Sequence, residues 1–259
     1  MTKFTKIYPK IIAEIGINHN GSLNMAMEMI RRAKENGADI AKFQVYQPEK
    51  LLDKNEFSPE DWKAILDSEI HFDDLQILKA ACDEHDIEFM ASAFDLERLE
   101  WLEKLNVKKH KIASRTVFDT EYCKAVLDTG KEVLVSNGGL RGKPREEAQN
   151  ILRLFYDYPK VKILHCVAEY PTSPEKVIFE RNMFRKGFSG WSDHTESILH
   201  CIAAITLGAE YIEKHYTLDK NLPGPDQKGS MDNTELRSIA NYRNGLYHFN
   251  VVIDLEEEC

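Results

Sequence analysis

Eight short, nearly continuous apolar runs of strand character alternate with helical runs along the whole chain. The strand runs are Lys10 to Ile17, Asp39 to Tyr46, Glu88 to Phe94, His110 to Ser114, Glu132 to Ser136 and Val161 to Val167. Two more lie within Gly187 to Leu218 and end at Ser192-Asp193-His194 and at Glu213-Lys214-His215. Helical patterns fill the intervals, at Asn24 to Glu35, Phe72 to His85, Asp95 to Leu105, Asp119 to Asp128, Arg145 to Tyr156, Glu196 to Leu207 and Thr234 to His248. Strands read this way when helices cover them, which requires a parallel sheet with crossover helices. Glycines 37, 130 and 208 stand at three helix-to-strand joints, where a left-handed residue stops a helix. Eight such units without a composition break predict an α/β fold, a single-domain (β/α)8 TIM barrel over residues 1–259, with 1–9 as an N-terminal extension and 249–259 as an acidic tail. An open doubly wound sheet is the alternative, but no G-x-G-x-x-G follows the first strand.

Charge narrows the partners. The 259 residues carry a net charge of −9, which argues against a general nucleic-acid or membrane-surface binder. No run approaches the roughly 18 apolar residues of a membrane span, and the first ten residues lack the apolar stretch of a secretion signal. Five widely spaced cysteines form no C-x-x-C pair, as expected of a reduced, cytoplasmic protein. Cys82 and Cys201 fall on apolar helix faces and are expected in the core. The segment from Gln47 to Ile70 is long for a connection inside a barrel and is expected to cover the active site.

In parallel barrels chemistry occurs at the carboxyl ends of the strands. Glu14, Lys42 and Gln44, Ser92, Lys111 and Ser114, Ser136, Ser192 and His194, and Glu213 and His215 all fall near those ends. The period of two sets Ser192 beside His194, and Glu213 beside His215. Adjacent strands lie about 4.8 Å apart, so two imidazoles at neighbouring strand ends can share one small ion, or serve as hydrogen-bonded structural histidines. Lysines inside strands two and four need a counter-anion to be buried. With several hydroxyls nearby they suit a small, highly charged anion such as a phosphorylated carboxylate.

The runs IIAEIGINHNGSLNMA, AKFQVYQPEKL, KIAS, HCVAEYPTSPE, GWSDHT, EKHYTL and PGPDQ resemble the sialic acid synthase family, over about residues 10–240. The resemblance implies condensation of phosphoenolpyruvate with an N-acyl-mannosamine-like aldose to give a nine-carbon 2-keto-3-deoxy sugar acid. It implies His194 and His215 as ligands of a divalent metal, manganese first, with magnesium or cobalt as alternatives. It assigns Lys42, Ser92, Lys111, Ser114, Ser136 and Ser192 to phosphoenolpyruvate. Glu14, Gln44, Tyr170 and Asp226 would face the sugar, and Glu213 the reacting carbons.

Three departures bear on the sugar end. The family's thereonine-proline after strand three is Ser92-Ala93 here, Arg115 stands where a glycine is common, and Ala168 replaces a polar residue. Members commonly carry a C-terminal antifreeze-like domain whose arginine reads the acyl group. The chain is expected to lack it, with Arg115 or a separate chain as a substitute. A homo-oligomer is expected. Two other readings stay open: a 3-deoxy-octulosonate-type synthase using a shorter or phosphorylated aldose, and a non-catalytic barrel that binds a sugar or a phosphate.

Overall fold

Eight parallel strands, each alternating in-facing and out-facing side chains, form a sheet closed on itself. The computed structural model describes residues 8–248, except for the side chains of Arg185 and Lys186. Most of the expected N-terminal extension and the acidic tail lie outside the described residues. The strands are β1 (Lys10–Gly16), β2 (Ile40–Val45), β3 (Glu88–Ala93), β4 (Lys109–Ile112), β5 (Glu132–Ser136), β6 (Val161–Cys166), β7 (Gly190–Asp193) and β8 (Tyr211–His215). They pair in sequence order, all parallel, and β8 closes on β1, giving the expected barrel.

The helices are α1 (Leu23–Glu35), α2 (Pro48–Leu51), α3 (Pro59–Asp67), α4 (Phe72–Glu84), α5 (Leu96–Lys104), α6 (Thr120–Asp128), α7 (Arg145–Tyr156), α8 (Met183–Lys186), α9 (Leu199–Thr206) and α10 (Asn233–His248). The main apolar core lies between strands and outer helices and includes Phe43, Phe89 and Trp191 from strands and Met29, Ile30 and Leu75 from helices. Each such side chain contributes about 2 kcal/mol on burial. Cys82 and Cys201 are in this core as expected, and Cys123 with them. Among the described residues no helix is long and apolar enough to cross a membrane.

Several boundaries differ from the sequence expectation for local reasons. The seventh crossover helix begins at Leu199 rather than Glu196. Asp193 accepts from the Thr195 backbone and hydroxyl, and Thr195 donates to the Ser197 carbonyl, so these bonds hold the chain in a turn first. Strand four stops at Ile112, which leaves Ser114 in the following turn. In α1 the buried stripe is Ala26, Met29, Ile30 and Ala33, with Met27 only partly buried.

Glycines 37, 130 and 208 all have positive φ, at +94°, +68° and +94°. Asp86 and Asn106, both at +51°, stop α4 and α5 in the same conformation. Their short polar side chains tolerate it better than most.

Candidate active site

Inside the barrel, one turn of the two-residue period separates structure from chemistry. Ile12, Ile40, Met90, Leu134, Leu164 and Tyr211 form a buried apolar plug. Two residues further along the same six strands stand Glu14, Lys42, Ser92, Ser136, Cys166 and Glu213. Lys111 of β4 and Ser192 of β7 complete this polar layer, and all eight side chains are buried. The next positions outward are Gln44, His194 and His215.

The layer is an ion-pair network. Lys42 Nζ lies 2.6 Å from Glu14 Oε2 and 3.6 Å from Glu213 Oε2. Lys111 Nζ lies 3.7 Å from Glu213 Oε1 and donates to Ser136 Oγ at 2.7 Å. Ser192 Oγ donates to Glu213 Oε1 at 2.8 Å, and Gln44 Nε2 to Glu14 Oε1 at 2.8 Å. These lysines therefore have internal counterions. The counter-anion expected for buried lysines comes from within, from Glu14 and Glu213, and strand spacing could not show toward what those carboxylates turn.

The charges respond unequally. Burial disfavours the ammonium of Lys42, but Glu14 and Glu213 outweigh it and raise its pKa. Burial dominates at Lys111, with Lys42 adding to it, so its pKa falls. Burial would raise the Glu213 carboxyl, yet Lys111 and Lys42 together hold it down at about 2. The layer thus presents an ionised carboxylate between two amines.

Several buried polar atoms have no hydrogen-bond partner. Ser92 Oγ, Glu213 Oε2 and His215 Nδ1 are buried without a hydrogen bond. Such atoms are uncommon in folded proteins and suit a site that a ligand completes. The imidazoles of His194 and His215 have centroids 5.8 Å apart. His194 Nδ1 bonds the Val167 carbonyl at 2.9 Å and must carry its proton there, which leaves Nε2 as a lone-pair donor. Burial, then the neighbouring His215, lowers the His194 pKa to about 4, so the ring is neutral near pH 7. Among the described residues no group of three or more His, Cys, Asp or Glu side chains is disposed to hold a metal ion. The free Nε2 of His194 and the His215 ring, whose Nδ1 makes no hydrogen bond, fit a divalent ion that would take its other ligands from water or substrate.

The remaining expected residues gather at the same mouth. Ser114 Oγ accepts from the Gly138 backbone at 3.1 Å. The Tyr170 ring is tilted against that of His194 with centroids 4.1 Å apart, and Asp226 Oδ2 lies 3.7 Å from His215 Nδ1. Above them opens a cavity of about 850 Å³, roofed by Leu51, Leu52 and Phe57 of the 47–70 segment and reaching Gln44, His215 and Asp226. That segment covers the site, as expected. Arg115 is exposed at the cavity wall, and its guanidinium donates to the Leu51 carbonyl at 3.3 Å.

Sequence reasoning missed two features. Cys166 faces inward, its Sγ 3.4 Å from Ser114 Oγ and 3.7 Å from His194 Nδ1. The period of two from Leu164 carried that signal. Behind the histidines, Asp193 and Lys214 form a fully buried 2.9 Å ion pair on the outer face of β7 and β8. It ties together the two strands that carry His194 and His215.

The NeuB family profile matches residues 29–247. N,N'-diacetyllegionaminic acid synthase of Campylobacter jejuni is 34% identical over 246 residues, covering 89% of this chain and 74% of that protein. Human N-acetylneuraminate-9-phosphate synthase is 33% identical over 245 residues, covering 89% and 68%. The crystal structure of N-acetylneuraminic acid synthetase from Leptospira borgpetersenii, solved with citrate, superposes with a TM-score of 0.83 at 28% identity, covering 98% of this chain and 88% of that one. By these matches the chain belongs to the NeuB family and shares its barrel with enzymes named as sugar-acid synthases.

Proposed function

We propose that the protein is a metal-assisted synthase that condenses phosphoenolpyruvate with an aldose of the N-acyl-mannosamine type. The products are a nonulosonic 2-keto-3-deoxy acid and inorganic phosphate. The observation that carries this reading is the buried layer in which Lys42, Lys111, Ser136, Ser192 and Glu213 converge beneath the His194–His215 pair.

In this reading Lys111, Ser92, Ser114, Ser136 and Ser192 hold the phosphate and carboxylate of phosphoenolpyruvate, with Lys42 beside them. Lys111 gains most from an arriving anion, because burial penalises its charge in the free enzyme. A divalent ion on His194 and His215, manganese foremost, would supply Lewis acidity to the aldehyde oxygen of the sugar. Gln44, Tyr170 and Asp226 line the route by which that sugar enters, and holding its C1 over the enol carbon lowers the barrier by orientation.

The bonds balance as follows. C3 of phosphoenolpyruvate bonds to C1 of the aldose, and the aldehyde oxygen takes up a proton. Water adds at C2 of the resulting cation and gives its proton to a carboxylate. Glu213, ionised between two amines, is placed for that role, with Glu14 next to it. The C2–O bond to phosphate then breaks, phosphate leaves with the bonding pair and takes up the proton of the C2 hydroxyl, and C2 becomes the ketone.

The test is phosphate release from phosphoenolpyruvate with N-acetyl-D-mannosamine, followed by mass spectrometry of the product. Release should require the aldose, stop with EDTA and return with MnCl2. Phosphate release that ignores both aldose and metal would overturn the reading.

A further inference from the structure

Relatives of nearly equal identity are named for both a phosphorylated product and unphosphorylated ones. Overall similarity therefore does not say which kind of acceptor this chain takes, but the walls of its mouth do. This inference rests on the function proposed above.

An acceptor that reacts at C1 must put that carbon at the floor, near His215 and Gln44. Its far end then points up the 850 Å³ cavity toward the 47–70 segment. Two kinds of group line that outer end. Leu51, Leu52, Phe57, Phe94 and Phe118 are apolar and partly exposed to the cavity. Glu56 and Asp61, on the same covering segment, are carboxylates.

Cations are few there. Arg115 is the one arginine or lysine lining this cavity among the described residues, and its Nη1 is engaged by the Leu51 carbonyl. Lys50 lines a separate hollow beside Asp95 and Glu121. Lys143 stands over the Phe118 ring at 5.0 Å but is paired with Glu147 at 3.5 Å. A phosphate monoester carries nearly two negative charges and is held in proteins by several donors, arginines above all. Here it would meet one arginine, two carboxylates and hydrocarbon.

We infer that this mouth takes an uncharged aldose bearing apolar substituents, such as acyl methyls or deoxy carbons. It discriminates against an aldose phosphorylated at its distal carbon, with Glu56 and Asp61 enforcing the choice. Like charges facing one another reject a wrong partner, while the apolar walls reward acyl and deoxy groups through burial.

The experiment compares kcat/KM for N-acetyl-D-mannosamine and its 6-phosphate, using the Mn2+-loaded full chain and phosphoenolpyruvate, in wild type and in Glu56→Lys. The neutral sugar should lead by about tenfold or more, and Glu56→Lys should narrow that ratio about tenfold, as adding a cation and removing an anion near the phosphate requires. Equal or better use of the 6-phosphate would overturn the inference and leave the function standing. A ratio unmoved by Glu56→Lys, with its thermal melt unchanged, would overturn the assignment of this residue. Phosphate release with neither sugar would remove the proposed function and the inference together.

Discussion

Glu213 joins the two halves of the site, since it touches both amines and accepts from Ser192. Glu213→Gln keeps the shape but removes the proton acceptor, and kcat should fall about 10²- to 10⁴-fold, read as phosphate release. Unchanged kcat would assign the proton to Glu14 or to solvent. Another buried group sets an acid limit on stability. His19 is 3% exposed in the turn after β1, and burial lowers its pKa to about 4 from 6.5. Between those values the unfolded chain binds the proton and the folded chain does not. The stability is thus fully present above pH 6.5 and is lost as pH falls toward 4, by about 3 kcal/mol in total. Urea titrations across pH 7 to 4.5 should show this slope, and His19→Gln should lessen it, with His194 and His165, also lowered to about 4 by burial, supplying the remainder. The site lysines were legible because charged residues rarely interrupt apolar strands. Their neutralisation by Glu14 and Glu213 was not, because spacing gives a residue's face but not its partner.

At the level of elements, helix stops shape the joints that bring each strand back into the barrel. Gly37 and Gly208 share a φ of +94°, but their surroundings differ. A Cβ on Gly208 would meet nothing within 4 Å, whereas one on Gly37 would lie 2.5 Å from Ala240 Cβ of α10. Gly208→Ala should therefore cost only the backbone strain, about 1–2 kcal/mol. Gly37→Ala adds a clash and should cost about 3 kcal/mol or more, as chemical denaturation would measure. Equal losses would mean that α10 yields freely. Strand number and order followed from the sequence because hydrophobic period and glycine stops agree along the chain. Element ends followed less well. Side chains in turns, such as Asp193 and Thr195 before α9, decide where a helix begins, and their hydrogen bonds appear only in three dimensions.

For the whole molecule, closure of the barrel does what no single element can. It carries residues from positions 14 to 226 to one mouth and roofs them with the 47–70 segment. The outward Asp193–Lys214 pair locks β7 to β8 from behind, so the spacing of the two imidazoles is a property of the fold. Removing one partner of such a buried pair costs about 3–5 kcal/mol. This arrangement makes one geometric demand that a diffraction experiment can meet directly. Crystals grown with MnCl2 and phosphoenolpyruvate should show a single anomalous manganese peak shared by His194 and His215. The phosphate should lie within hydrogen-bonding reach of Lys111 and Ser136. Manganese bound elsewhere, or phosphoenolpyruvate outside the barrel mouth, would contradict the assignment of this layer as the reaction centre.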